Sequence, residues 1–319
     1  MSFDSVYYPP DQCRVCGSKS LTLKGAKAGR HWKQEFSFYE CDRCSFLFVS
    51  PVLGPEIYDD AYYRGAGPDP MVDYESEYTD YAKTARLYEF TDLLRLAGKY
   101  LRRCANQEQA EPIKWLDFGC GAGGLLKFLR DQRGIRVGRT DRRIEASGSD
   151  VGSYANRLAA IDGFKIWSAD ELWRLPEGNF DIITCIEVVE HLQEPLSTFK
   201  LLARSLANNG LLLLSTGNLK SPLAKASGIF FPYCIPEIHV GYFNPELLRT
   251  VYLEVGLTPI RVRFQGSLRF KFLKNISGTL PERFASRLSN FKLLLRLFDY
   301  LYGVSAMPSA AKFDNQEEV

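Results

Sequence analysis

The chain has 319 residues, 45% of them hydrophobic and 13% aromatic, enough to bury the core of one large domain with an appendage. With 24% charged residues and a net charge of +2, it lacks the basic excess of a general nucleic-acid binder. No apolar run approaches the roughly 18 residues of a membrane span. The opening Met1-Ser-Phe-Asp-Ser has neither the basic nor the apolar region of an export signal, so a cytoplasmic protein is expected.

Four of the eight cysteines fall as two Cys-x2-Cys pairs, Cys13/Cys16 and Cys41/Cys44, with 24 residues between them. Each pair is followed by a small residue, Gly17 or Ser45, that lets the turn close. Four thiolates on two such knuckles make a closed tetrahedral site with no position left for chemistry, so structural zinc is expected. Leu21–Leu23 and Trp32–Tyr39 alternate like strands, giving a zinc ribbon over residues 1–50. Zinc stabilises a segment too small to fold alone, which makes the ribbon a scaffold or a substrate-side wall.

Residues 51–110 read as a connector and a covering helix. Tyr58, Tyr62, Tyr63, Tyr74, Tyr78 and Tyr81 crowd the connector, either as packing between ribbon and main domain or as a lid whose rings cover a ligand. Thr84–Cys104 repeats apolar residues at helical spacing, and Asn106–Pro112 is a polar break. From there strand and helix alternate, the mark of a parallel sheet covered on both faces. Strands are expected at Ile113–Phe118, Ile144–Asp150, Phe164–Trp167, Phe180–Ile186 and Gly210–Thr216. Helices are expected at Leu125–Gln132, Ser153–Ile161 and Pro195–Ala207, with Arg133–Arg143 as a basic loop.

Lys114–Gly124 organises the rest. An apolar strand ends in Asp117, then Gly119, Gly121 and Gly123 follow at alternate positions before a helix begins. Glycines serve where backbone must approach a ligand with no Cβ in the way, and a new helix offers free N–H groups at its mouth. An acid closing the second strand, Asp150 with Asp141 in reserve, is placed for ribose hydroxyls. With Ala169-Asp170, Phe180-Asp-Ile-Ile and Glu187-Val-Val-Glu190-His191-Leu in order, residues 113–264 resemble the class I S-adenosylmethionine-dependent methyltransferases.

That resemblance implies an α/β fold: a Rossmann-like, seven-stranded methyltransferase sheet with helices on both faces, here joined to the small N-terminal zinc ribbon. It implies S-adenosylmethionine as cofactor. Asp117 and the backbone of Gly119, Cys120, Gly121 and Gly123 would hold its methionine end, and Asp150 the ribose. Asp170 would take the adenine amino group, with Ala169 lining the ring and Glu187 bordering the cofactor.

Glu187, Glu190 and His191 follow the fourth strand and would share one side of a first helical turn. The Glu-x-x-Glu-His run is similar to the metal-binding turn of ubiquinone-type and small-RNA 2′-O-methyltransferases. That likeness implies a second divalent site, Mg2+ or another cation, on Glu187, Glu190, His191 and His239. The same run recurs in relatives for which no metal is implied. There Glu187 would border the cofactor while His191 caps or orients the loop. A metal-free acid/base role for His191 or His239, in a catalytic set with Glu187, is the third reading, since a histidine can take a hydroxyl proton near neutral pH.

The core is expected to close at residue 264 with Asn244–Val255 as a helix and Leu257–Phe264 as a strand. Residues 265–303 form a basic amphipathic insertion, and residues 304–319 a final strand interrupted by Pro308 and a frayed tail. Arg261–Asp299 holds nine Lys/Arg against Glu282 and Asp299, suited to peripheral contact with the inner face of a membrane, to a pocket cap or to a dimer face. The expected activity is methyl transfer to a small-molecule hydroxyl, saccharide or lipid-linked. RNA methylation, drawing on Arg139, Arg142 and Arg143, and a non-catalytic binding module stand as rivals.

Overall fold

The computed structural model describes residues 11–68, 74–84, 86–104, 111–132, 134–137, 140–265 and 305–312. Arg139, the basic insertion beyond Gln265 and the acidic tail lie outside these residues. Among the described residues no helix is long and apolar enough to cross a membrane.

Strands β1 (Leu21–Ala28), β2 (Glu35–Cys41) and β3 (Leu47–Ser50) form an antiparallel meander behind the two cysteine knuckles. The connector carries structure of its own, a π-type turn at Tyr62–Ala66 and helix α1 (Tyr74–Asp80). Helix α2 (Arg86–Cys104) then leads to strand β4 (Ile113–Phe118) and helix α3 (Gly124–Asp131). The stretch expected as a basic loop is instead a small hairpin, β5 (Ile135–Val137) and β6 (Thr140–Arg142). Its short alternation, Ile135-Arg-Val137, is half-buried, and Arg136 clamps Asp141 across it at 3.0 and 3.1 Å.

Strand β7 (Ile144–Ser149), helix α4 (Ser153–Ile161) and strand β8 (Lys165–Ile166) follow in the expected order, and a further helix, α5 (Ala169–Arg174), comes after them. Ser168 and Glu171 cap α5 reciprocally, satisfying two N–H groups at its start. Next come strand β9 (Phe180–Ile186), helix α6 (Pro195–Ser205) and strand β10 (Leu206–Gly217). Strand β10 starts earlier than expected: Leu206 already pairs with Phe180, and the Asn208-Asn209-Gly210 turn is an irregularity within the strand, with Asn209 at φ 58°. Helix α7 (Pro222–Ser227), strand β11 (Gly241–Tyr242), helix α8 (Pro245–Glu254) and strands β12 (Thr258–Gln265) and β13 (Ser305–Ala311) complete the chain. The Asn244 side chain caps α8 through Leu247 N–H at 2.9 Å, with Pro245 in the first turn as expected.

The main sheet has seven strands in the order β12-β13-β10-β9-β4-β7-β8, parallel from β10 to β8 with β13 antiparallel. Strand β13 runs between β12 and β10, so Pro308 stands in an interior strand. The ladder to β10 skips that point, between the pairs Leu213↔Ser309 and Thr216↔Ala306. Period-two alternation splits the leucine run of β10 between two cores. Leu211 and Leu213 join Trp115 and Ile182 against α2 and α3, while Leu212 and Leu214 face α5, α6 and α8.

A second sheet has the order β1-β2-β3-β11. Its fourth strand comes from between α7 and α8, so the ribbon is completed by chain that belongs to the core. The sequence gives no sign of this.

Leu214 is fully buried in the central strand. Leu214→Ala should destabilise the protein by about 2–5 kcal/mol in urea unfolding, transfer loss plus cavity. A cost near zero would contradict the two-core packing.

Candidate active site

The turn after β4 lies at the carboxyl ends of the parallel strands. Gly119 and Gly121 take φ 80° and 51°, which L side chains rarely adopt. A Cβ on Gly119 would meet Val188 Cγ2 at 2.1 Å, and one on Gly121 would meet the Tyr74 ring at 2.8 Å. Gly119 and Cys120 N–H groups donate to Ser149 O at 2.7 and 3.1 Å, fastening the turn to β7.

Asp117 is buried at the end of β4 and terminates a relay. Trp115 Nε1 donates to Thr184 Oγ1 at 3.1 Å, and Thr184 donates to Asp117 Oδ1 at 2.8 Å. Burial lifts the Asp117 carboxyl to about 7, against the hydrogen bond from Thr184, with Glu77 and Asp150 adding to the rise. Asp150 Oδ2 accepts the Gly121 N–H at 2.9 Å, while Oδ1 accepts the Tyr63 hydroxyl at 2.7 Å and Gly152 N–H at 2.8 Å. Burial raises this carboxyl too, and those donors oppose the rise. Asp150, not Asp141, is thus the acid brought to the glycine turn; Asp141 is tied to Arg136 on the exposed hairpin. Ala169 and Asp170 stand exposed in the first turn of α5, following β8 at the same edge of the sheet. A buried and a half-buried carboxyl beside a glycine turn suit a ligand with a positive centre and vicinal hydroxyls, so Asp117 and Asp150 fit S-adenosylmethionine.

The second half of the site follows β9. Glu187 sits outside any helix at φ 54°, a strained conformation for a residue with a Cβ, and only Val189–His191 forms a single 3-10 turn. The helical first turn expected to bring Glu187, Glu190 and His191 to one side is therefore not formed. Ser215 Oγ donates to Glu187 Oε1 at 2.8 Å and Tyr233 Oη to Glu187 Oε2 at 2.8 Å. Thr216 Oγ1 donates to Glu190 Oε2 at 2.8 Å, and Tyr233 Oη also meets Glu190 Oε1. Burial, with Glu187 beside it, pushes Glu190 well above the usual carboxyl range.

His239 Nδ1 lies 2.6 Å from the Tyr233 carbonyl, which can only accept; the ring therefore carries a proton on Nδ1. The His191 ring is 4.8 Å away, edge to face, with Nδ1 3.0 Å from Tyr58 Oη. Burial, and then His239, hold His191 well below the usual imidazole value, so it is neutral at pH 7. Donor atoms of Glu190, His191 and His239 lie within 4.8 Å of one another, a grouping that omits Glu187.

In the ribbon, the sulfurs of Cys13, Cys16, Cys41 and Cys44 likewise lie within 4.8 Å of one another. The Cys13–Cys44 and Cys16–Cys41 separations are 3.6 and 3.5 Å, close to the roughly 3.8 Å edge of a tetrahedron with metal–sulfur bonds of about 2.3 Å. All eight cysteines are free of disulfides.

Tyr233, Ser215 and Thr216 were not singled out by sequence reasoning, and Tyr58 and Tyr63 were named only among the connector tyrosines that could form a lid. Ser215 and Thr216 could have been found, as polar residues at the carboxyl end of an apolar strand. Tyr233 lies in an aperiodic stretch that gives no such signal. Of the basic residues named for RNA, Arg142 donates to the Glu111 carbonyl at 2.8 Å.

A family profile described as a methyltransferase domain matches residues 86–262, more than half of the chain. A ubiquinone biosynthesis O-methyltransferase of Caulobacter sp. (strain K31) is 32% identical over 111 residues, 34% of this chain and 42% of that protein. One of the same description from Pseudomonas aeruginosa (strain UCBPP-PA14) is 32% identical over 114 residues, 33% of this chain and 44% of the relative. The chain thus spans less than half the length of these relatives. A solved S-adenosylmethionine-dependent methyltransferase from Archaeoglobus fulgidus aligns with a TM-score of 0.44 and 19% identity, covering 69% of this chain and 94% of that one.

Asp117 yields a pH prediction. Its folded pKa of about 7 exceeds the ordinary carboxyl value, so the folded state binds the extra proton and stability falls as pH rises from about 4 to 7. Asp117→Asn should flatten that slope, leaving the ligand-free variant more stable than the parent at pH 8 and similar at pH 4. Equal melting temperatures at pH 8 would contradict the burial argument.

Proposed function

Because this chain belongs to the methyltransferase-domain family, we propose that it transfers a methyl group from S-adenosylmethionine to a hydroxyl of a small-molecule acceptor, a saccharide or lipid-linked metabolite. One juxtaposition carries the proposal. The acid-lined glycine turn with Asp117 and Asp150, and the His191–His239 pair, stand at the carboxyl ends of adjoining strands of one sheet. The curated relatives are O-methyltransferases by name, which supports oxygen as the atom methylated.

Bound there, S-adenosylmethionine supplies an electrophilic sulfonium methyl. Asp150 would hold the ribose hydroxyls, Asp117 and the backbone of Gly119–Gly123 the methionine end, and Ala169 with Asp170 the adenine. Glu187, fixed by Ser215 and Tyr233, borders the reacting centre. His239, its ring anchored at Nδ1 by the Tyr233 carbonyl, would take the acceptor's hydroxyl proton as the new bond forms. The neutral His191 packs against it and receives orientation from Tyr58. Positioning is the larger part of the task, since the donor is already activated.

A divalent cation is the second reading, favoured by the clustering of Glu190, His191 and His239. Those residues would hold it, and it would polarise the acceptor oxygen. Glu190 argues against it, because its oxygens are engaged by Thr216 and Tyr233. Zinc is proposed for Cys13, Cys16, Cys41 and Cys44, where its role is structural.

Calorimetry on the zinc-loaded protein should detect S-adenosylmethionine. Asp150→Ala should weaken it by about tenfold to a hundredfold, the worth of hydrogen bonds to a charged group; absence of binding by the parent removes the proposal. Methyl-labelled cofactor should mark small-molecule extracts, and His239→Ala should slow transfer by about 10²–10⁴-fold while leaving cofactor affinity intact. Label confined to an RNA fraction would favour the RNA reading. Activity that survives Glu190→Ala, and chelation sparing the ribbon metal, would dismiss the cation.

Metal analysis should find about one zinc per chain, as one closed site requires. Cys41→Ser, which removes a fully buried ligand, should lose the zinc and melt earlier. Undiminished zinc in that variant would place the metal elsewhere.

A further inference from the structure

We propose that Arg14, the residue inside the first cysteine knuckle, is a positioning residue for the His191–His239 pair. It makes the ribbon part of the acceptor side of the site rather than an appended module. The catalytic meaning of this inference rests on the reading of those histidines above; the coupling itself rests on geometry alone.

The Arg14 guanidinium reaches three backbone carbonyls on three separate stretches of chain. It donates to Val240 O at 2.7 Å, to Gln193 O at 3.4 Å and to Val49 O at 3.5 Å. Val240 follows His239 directly, and Gln193 is two residues past His191. A single side chain therefore touches both histidine-bearing segments and ties them to β3. Its charge lies over the Phe48 ring at 5.1 Å, which fixes the stem while the fork reaches outward. Arginine suits this duty because five N–H groups in a rigid plane can serve several acceptors at once.

Independent contacts bracket the same segment. Val240 N–H donates to Glu190 O at 2.7 Å, and Val49 N–H donates to Val240 O at 3.2 Å. Gly241 and Tyr242 pair with Phe48 and Leu47 as the outer strand of the ribbon sheet. On the other side of His239, Glu237 Oε1 accepts N–H groups of His31 and Trp32, at the tip of the β1–β2 hairpin, at 2.7 and 3.3 Å. Glu237 is fully buried, so that anchor is dry and costly to break. His239 is thus held from both flanks by the ribbon, one flank through the knuckle that the metal would set.

A residue that merely glued the ribbon on would lower the melting temperature and leave the imidazoles as they are. A positioning residue would move them. The chain has three histidines, so histidine labelled with nitrogen-15 gives three pairs of ring signals, with the exposed His31 as internal reference.

In full-length, zinc-loaded Arg14→Ala, the signals of His191 and His239 should shift and the single Nδ1–H form of His239 should be lost. Zinc content and S-adenosylmethionine affinity should stay at parent values. Wild-type signals for both rings in that variant would overturn the inference. If Arg14→Ala fails to load zinc, Arg14→Lys keeps the charge near Phe48 but cannot span three carbonyls, and the same shifts are expected. Failure of both variants to hold zinc would also overturn it, because Arg14 would then serve only the ribbon's own stability. Shifted rings with methyl transfer intact would support the coupling while removing the catalytic role of the histidines.

Discussion

The backbone of Val240 carries the joint between the two sheets, with its N–H on the Glu190 carbonyl and its own carbonyl shared by Val49 N–H and Arg14. These bonds lie in a setting where unpaired backbone groups cost free energy, so the two peptide groups flanking Val240 have little freedom to shift. Glu190 and Val240 are far apart in sequence, yet their pairing sets where both histidines stand. The ribbon closes over this joint instead of standing apart from it, which explains why its fourth strand is borrowed from the core.

Two different electrostatic solutions stand side by side at the carboxyl ends of the strands. Asp117 and Asp150 are acids under pressure toward neutrality, Asp117 receiving Thr184 and Asp150 receiving Tyr63 and two backbone N–H groups. Such a pair gains from a positive ligand, because a nearby cation favours the charged form that burial disfavours. In the Glu187–Tyr233–Glu190 set one phenol bridges both carboxyls, while Ser215 and Thr216 donate to their other oxygens.

Much of this fold was legible because the core obeys local rules. Ile113–Phe118, Phe180–Ile186 and Ser153–Ile161 have the expected bounds, since apolar periodicity and flanking turn residues coincide there. Asn244-Pro245 announces α8 by capping chemistry alone. What failed was non-local. The early start of β10 depends on pairing with β9, and β11 becomes a strand only because β3 is there to receive it. On the site, the glycine turn and Asp150 were readable from spacing, as were the two histidines from residue type. Tyr233 and Arg14 were not, since their importance comes from carbonyls and carboxyls that the fold delivers from distant parts of the chain.

The tyrosine connector joins the two halves of the site through one short stretch. Tyr58 reaches His191, and Tyr63, five residues later, reaches Asp150. Gly152 is part of that fit, because a Cβ there would meet the Tyr63 hydroxyl at 2.2 Å. Asp150 Oδ1 already accepts two hydrogen bonds, one from Tyr63 and one from Gly152. The Tyr63 ring is edge-on to Tyr62, which is edge-on to Tyr58 in turn, at 5.3 and 5.1 Å. Close-packed rings transmit strain to one another. The hydrogen bonds on Asp150 and on His191 are therefore joined through three packed rings, which gives the crowded tyrosines a reason beyond filling the space between ribbon and core.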